Sequence, residues 1–183
     1  DGLLLTHGWR WVPPAAVRRR VARGLVPYQA WVEAGLLIES GDEVIDYAPI
    51  EAKILEVKET FNLQLVAYDN WNAPQLTQRL KQANVPMELF RQGPQSYHPA
   101  MQDLELHYLA GKLAHGNDAV LNWNASNLVS RQDQNLNNAP DKRKSTEKID
   151  DMAALLMATG VSLSAKPQGD MDGFLKSGIK AGR

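Results

Sequence analysis

The sequence predicts an α/β domain in which a partly parallel sheet packs against helices. Two short apolar segments, Leu63–Tyr68 and Val85–Phe90, alternate with stretches whose apolar residues recur at helical spacing. The 183 residues are enough for one domain with its own core, and 44% hydrophobic and 22% charged residues are typical of globular proteins. Such an alternation of strands and helices favours an α/β fold over an all-helical or all-β one.

The N-terminal part has the least regular pattern. Apolar residues within 3–12 predict a strand or hairpin arm, which the Pro13–Pro14 pair ends. Residues 15–23 and 27–34 are expected to form short helices, and the first of them carries four arginines. A solvated helix face is the simpler interpretation of these arginines, and contact with a DNA backbone is the alternative.

From residue 46 onward the pattern becomes regular. The expected elements are a helix over 49–60, the strand 63–68, a helix from about 72, the strand 85–90, a helix over 99–109 and an extended piece at 113–115. Residues 119–128 are compatible with helix or strand, 127–134 with an extended segment, and 135–144 with a turn or hairpin tip. The last helix is expected over Ile149–Gly160, so the domain covers 1–160 and a flexible tail covers 161–183.

Composition excludes several classes of function. Because there is no cysteine, disulfide frameworks, cysteine zinc sites and thiol nucleophiles are ruled out. The net charge of −1 gives no global basic signature, so nucleic-acid contacts must come from local patches. No apolar stretch reaches the ~20 residues that cross a bilayer, and no phosphate loop of a motor ATPase occurs. We therefore expect a cytoplasmic protein without membrane or ATPase function.

Two aspartates are the strongest candidates for chemistry, because each lies at the end of a core-forming element. Asp69 follows a strand, where open α/β sheets bind ligands, and Asp150 opens the last helix. On a helical projection Asp150 borders the apolar stripe near Met157, whereas Asp151 points away. Carboxylates at such positions predict a divalent metal site. A turn residue and a helix-dipole acid are the ordinary interpretations of the same two residues.

A basic run precedes the second of these acids. Lys142, Arg143, Lys144 and Lys148 can contact the phosphates of a strand that reaches Asp150, or they can simply keep the loop soluble. The four histidines form no zinc pattern, and carboxylates suit Mg²⁺ or Mn²⁺.

Four motifs carry more information together than any one of them alone. They are Ala-Tyr-Asp-Asn-Trp-Asn-Ala at 67–73, Phe-Arg-Gln-Gly-Pro-Gln-Ser at 90–96, Leu-Asn-Trp-Asn-Ala-Ser-Asn at 121–127 and Lys-Ile-Asp-Asp-Met-Ala-Ala-Leu-Leu-Met-Ala at 148–158. In order and spacing they resemble the C-terminal nuclease domain of the large terminase subunit of tailed bacteriophages and prophages. The resemblance covers about residues 9–160.

This resemblance implies a ribonuclease H-like mixed sheet flanked by helices. It also implies an endonuclease that cuts concatemeric double-stranded viral DNA with two Mg²⁺ or Mn²⁺ ions, which Asp69 and Asp150 bind. The implied partners are double-stranded DNA, the ATPase domain of the same subunit, the portal protein and the small terminase subunit, all in the host cytoplasm.

The sequence departs from the family pattern in one respect. The family's first metal-binding acid lies on a central opening strand that this sequence does not contain, and neither Asp1 nor Asp46 matches its position. We therefore expect the isolated chain to lack a complete set of metal ligands. A catalytically incomplete DNA-binding or scaffold module of the packaging motor is the alternative function. A glycosidase with two carboxylates is a weaker one, since no sugar platform is implied.

Overall fold

The structure is a computed structural model that describes residues 2–69 and 74–164. In chain order its elements are β1 (Leu4–Leu5), β2 (Trp11–Val12), α1 (Pro14–Arg23), α2 (Tyr28–Glu33), β3 (Ile38–Glu39), α3 (Ala48–Thr60), β4 (Val66–Tyr68), α4 (Pro74–Gln82), β5 (Met87–Leu89), α5 (Pro94–Leu109), β6 (Leu113–Ala114), α6 (Ala119–Asn127), β7 (Ser130–Gln132), β8 (Asn138–Pro140) and α7 (Asp150–Ser164). The alternation of strands and helices confirms the α/β class. None of the described helices is long and apolar enough to cross a bilayer.

Within the described residues the strands pair two by two rather than in one continuous sheet. The pairs β1–β6, β2–β3 and β4–β5 are parallel, and β7–β8 is an antiparallel hairpin. Of the two alternatives predicted within residues 3–12, the strand is confirmed by β1 and β2, and the hairpin arm is wrong, because β1 and β2 pair with different later strands. Parallel partners lie far away in sequence, so the local pattern does not identify them.

The segment from β4 to β5 is a βαβ unit with α4 as its crossover. Tyr68 is opposite Leu89 in the parallel register. The buried face of α4 contributes Leu76 and Leu80, which pack with Val85 and with partly buried residues of α3. Because parallel strands end at the same edge of a sheet, the residues that follow β4 and β5 lie side by side. The predicted start of this helix at about residue 72 lies outside the described residues.

Helices α5 and α7 form the largest hydrophobic core, together with Phe90 and Ala139. Helix α7 continues past its predicted end at Gly160, because this glycine serves packing and does not stop the helix. A Cβ atom on Gly160 would lie 2.7 Å from Phe90 Cε2. Val161 is buried and belongs to the core rather than to the predicted tail. Residues 165–183 lie outside the described part of the chain.

Helix α5 differs from the sequence-based prediction, and helix α6 decides between the two structures that the sequence allowed. Helix α5 begins at Pro94, earlier than the predicted Pro99, because Pro94 occupies the favoured first turn and Pro99 is tolerated inside the helix. Residues 119–127 are helical, since the Asp118 carboxylate accepts hydrogen bonds from the N–H groups of Val120 and Leu121.

Candidate functional site

Asp69 lies at the carboxyl edge of the β4–β5 pair, as the sequence predicts. Its Oδ2 accepts a 2.6 Å hydrogen bond from the side-chain amide of Gln92, which follows β5. The same amide lies 4.0 Å from the sulfur of Met157 in α7. Asp69 is half-buried. The acid is therefore held where the βαβ unit meets α7.

Tyr97, in the first turns of α5, belongs to the same region. Burial, and secondarily the charge of Asp69, raise the pKa of the Tyr97 hydroxyl to about 12. The hydroxyl consequently stays neutral over the physiological range of pH and remains a hydrogen-bond donor beside a carboxylate.

Two cavities flank the Asp69–Gln92 pair. The first, here called the α4 cavity, has a volume of about 540 Å³ and lies between Asp69 and the side of α4 that carries Lys81. The second, here called the hairpin cavity, has a volume of about 450 Å³ and contains Gln92 together with side chains of the β7–β8 hairpin and the turn after it. Its cations are Arg131, Lys142 and Arg143. The hydrogen bond between Asp69 and Gln92 thus joins an acid to a cationic cavity.

Asp150 is the first residue of α7, and its side chain is 67% exposed. The ammonium groups of Lys142 and Lys148 each lie 3.8 Å from its carboxylate. The predicted orientation of the Asp150–Asp151 pair is wrong, because Asp151 is the acid that borders the core, with 19% of its side chain exposed. A projection of α7 alone does not show that Arg10 and α6 pack against the opposite face of its first turn.

Two contacts of Asp151 hold that first turn, and a third contact holds Arg10 in place. The Asp151 carboxylate accepts a hydrogen bond from Arg10 Nε, and its backbone N–H donates to the Asn124 side chain at 3.2 Å. Arg10 also donates to Asp118 at 2.8 Å. These contacts link the first turn of α7, and so Asp150, to α6 and to the segment before β2.

Met157 of α7 is the residue through which the positions of the two predicted metal-binding acids can be compared. Asp150 precedes Met157 by two helical turns, which is about 10 Å along the axis, and Gln92 links Met157 to Asp69. Carboxylate oxygens fit a hard divalent cation in donor type. In the described part of the chain, however, no group of three or more His, Cys, Asp or Glu is placed to hold a metal.

Sequence analysis did not identify Gln92, Tyr97 or Asp141 as members of this region. Asp141 follows β8, is buried and lines the hairpin cavity. Its Oδ1 accepts hydrogen bonds from the N–H groups of Arg143 and Lys144, and so fixes the turn that carries the predicted DNA-binding cations. The Pro140–Asp141 pair before the basic run could have indicated this role. An aspartate side chain commonly accepts a hydrogen bond from the backbone two residues later and so stabilises a turn.

The basic residues divide into two groups. Lys142 and Arg143 line the hairpin cavity, and Lys144 is exposed in the same turn. On α1, by contrast, Arg18, Arg19 and Arg20 form ion pairs with Asp42, Glu43 and Glu147. This pairing agrees with a solvated face on α1 rather than with a DNA contact.

Comparison with known proteins identifies the family. The family described as terminase large subunit, endonuclease domain, matches residues 1–165. The large terminase subunit of Enterobacteria phage HK97 is 31% identical over 179 residues, which are 96% of this chain and 36% of the relative. The crystal structure of the HK97 bacteriophage large terminase is similar with a TM-score of 0.75 and 33% identity, covering 82% of this chain and 32% of that chain.

The chain therefore spans about a third of the length of these relatives. The family match covers most of its residues and confirms the resemblance that the four motifs indicate. The chain belongs to the family of terminase large-subunit endonuclease domains.

Proposed function

We propose that this chain is the metal-dependent endonuclease domain of a phage DNA-packaging terminase, with a ribonuclease H-like fold, and that it cuts concatemeric double-stranded DNA. The observation that carries the proposal is the position of Asp69, which lies at the edge of a parallel strand pair and is hydrogen-bonded to a residue of a cationic cavity. An acid beside cations is the arrangement that phosphodiester hydrolysis requires, since the acid holds metal and the cations hold phosphates.

The residues of the site take distinct roles in this proposal. Asp69 and Asp150 would hold Mg²⁺ or Mn²⁺, and a pair of such ions supplies an activated water and stabilises the leaving 3′ oxygen. Gln92 orients the Asp69 carboxylate through its amide. Lys142, Arg143, Lys144 and Lys148 bind backbone phosphates. Tyr97 remains a neutral donor next to the acid.

The proposal is tested by nicking of supercoiled plasmid by the full chain in the presence of Mn²⁺. We expect Asp69→Asn and Asp150→Asn each to lower the rate by roughly 100-fold or more, because each removes a charge that a metal needs. Glu88→Gln is the matched control, since Glu88 is an exposed acid on β5. Calorimetric titration with Mn²⁺ gives a second measurement that does not require turnover. Nicking that persists in both aspartate variants would remove the assignment.

A second candidate function is a DNA-binding or scaffold module without turnover. It is favoured by the absence of a three-acid cluster in the described residues. In that case the full chain binds DNA but does not nick it, and the two Asp→Asn variants bind as the unsubstituted chain does.

The basic turn gives a separate prediction. Replacing Lys142, Arg143 and Lys144 by Gln is expected to weaken DNA binding for all sequences and to reduce the salt slope by up to about 3, because each lost phosphate contact removes about 0.9 from the slope. The measurement is fluorescence anisotropy at several salt concentrations. The Arg18, Arg19 and Arg23 triple Gln variant is the control with the same change in charge. Equal slopes for the two triple variants would show that the turn makes no specific contact.

We also propose packaging partners for this chain. The HK97 relative is a large terminase. The ATPase domain of the same subunit, the portal protein and the small terminase subunit are therefore the expected partners, in the host cytoplasm.

A further inference from the structure

The α4 cavity contains a cation that is far in sequence from the basic turn. Lys81 lies in the last turn of α4, and its ammonium group donates to the Tyr68 hydroxyl at 3.1 Å. The same group lies 5.2 Å from the centre of the Tyr68 ring. Lys81 and Asp69 both line the α4 cavity, whereas Gln92 lines the hairpin cavity.

Within the described residues, no acid forms an ion pair with Lys81, in contrast to Arg79 on the same helix. Arg79, two residues earlier on α4, forms an ion pair of 2.7 Å with Glu51. Lys81 has no such pair among residues 2–69 and 74–164, and its ammonium group contacts the hydroxyl and ring of Tyr68. Its positive charge therefore remains available to an anion in the cavity.

The α4 cavity also contains the Asp69 carboxylate, and its uncharged polar groups are suited to an anion. Thr77 provides a hydroxyl and Gln78 an amide on the same side of α4 as Lys81. Hydroxyl, amide and ammonium groups are the usual ligands of nucleic-acid phosphates. A volume of about 540 Å³ is within the range of cavities that bind small ligands or a nucleotide.

We propose that the α4 cavity is a second phosphate-binding subsite, in which Lys81, Thr77 and Gln78 hold the DNA backbone on the side of Asp69 opposite to the hairpin cavity. The proposal rests on the proposed nuclease function. A strand that lies across the Asp69–Gln92 pair places one phosphate near Lys142 and Arg143 and another near Lys81. The acid then lies between two anchored phosphates, which fixes the cut position along the strand.

The test is the salt dependence with which the full chain binds a mixed-sequence DNA duplex. We expect Lys81→Gln to reduce the salt slope by about 0.9, the value of one phosphate contact. Arg79→Gln is the matched control, because it removes the same charge from the same helix outside the cavity. An equal slope for the two variants would overturn the subsite.

A second pair of variants does not depend on replacing Lys81. Gln78→Glu introduces a negative charge into the cavity, whereas Gln75→Glu introduces it on the exposed surface of the same helix. We expect the first to weaken DNA binding several-fold more than the second, and equal affinities would contradict the proposal. If the unsubstituted chain fails to bind the duplex at low salt, the proposed function fails as well. Normal binding with equal slopes rejects the subsite alone.

Discussion

Replacement of Arg10 by Met is expected to lower the free energy of unfolding by about 3 kcal/mol, because it removes a guanidinium that pairs with two partly buried acids. The Arg10 side chain is 9% exposed, and it bonds both Asp118 and Asp151. Without it these carboxylates remain desolvated and unpaired. Urea unfolding at pH 7 measures the change.

The pH dependence of this change follows from the two acids. Burial acts to raise the pKa of Asp118, but hydrogen bonds from the Leu121 N–H and from Arg10 outweigh it and hold the pKa below its usual value. Burial raises the pKa of Asp151 despite the attraction of Arg10. Loss of Arg10 moves both pKa values upward. The folded variant then binds protons more tightly than the folded unsubstituted chain does, so its stability deficit shrinks as the pH falls through the raised values.

The control for Arg10→Met is a substitution in an exposed ion pair. Arg19 and Glu43 are both largely exposed, so Arg19→Met is expected to change stability by less than about 1 kcal/mol. A similar decrease in the free energy of unfolding in both variants would contradict the prediction. A decrease in the Arg10 variant that does not change with pH would show that packing of the aliphatic stem, and not charge, is responsible.

Truncation of Leu156 to Ala is expected to lower the free energy of unfolding by about 3 kcal/mol, since it leaves a cavity in the main core. Leu156 is 1% exposed and packs where α5 and α7 meet. In a chain of this size the loss corresponds to a decrease of roughly 10 °C in Tm, which calorimetry measures. Leu163→Ala, on the same helix but 50% exposed, is the control and should change Tm little. A decrease of less than a few degrees in the Leu156 variant would show that the core closes over the lost volume.

Sequence reasoning succeeded where the apolar pattern within a single segment determines the structure of that segment. The apolar spacing within 49–60 predicted α3, and the run before Asp69 predicted β4, although the strand is shorter than expected. The place of Asp69 at a strand end is also confirmed. Its role in binding metal, with Asp150, stays a prediction.

The failures have a common physical cause in contacts between distant segments. The two-residue strand β3 has no pattern of its own and exists through its pairing with β2. The orientation of Asp150 and Asp151 depends on Arg10, and a helical projection contains no information about that residue. Gln92 became part of the candidate site because β4 and β5 are parallel neighbours, which follows from topology rather than from a motif.

The contact between Arg10 and Asp151 also has a consequence for how the protein assembles. It joins residues 141 positions apart, and contacts with such large sequence separation pay a high entropic cost before they contribute stability. Helix α7 can nucleate locally, but its first turn makes the contact with Arg10 only after the N-terminal segment has packed against it. We therefore expect Asp150 to be among the last groups to reach its final position during folding.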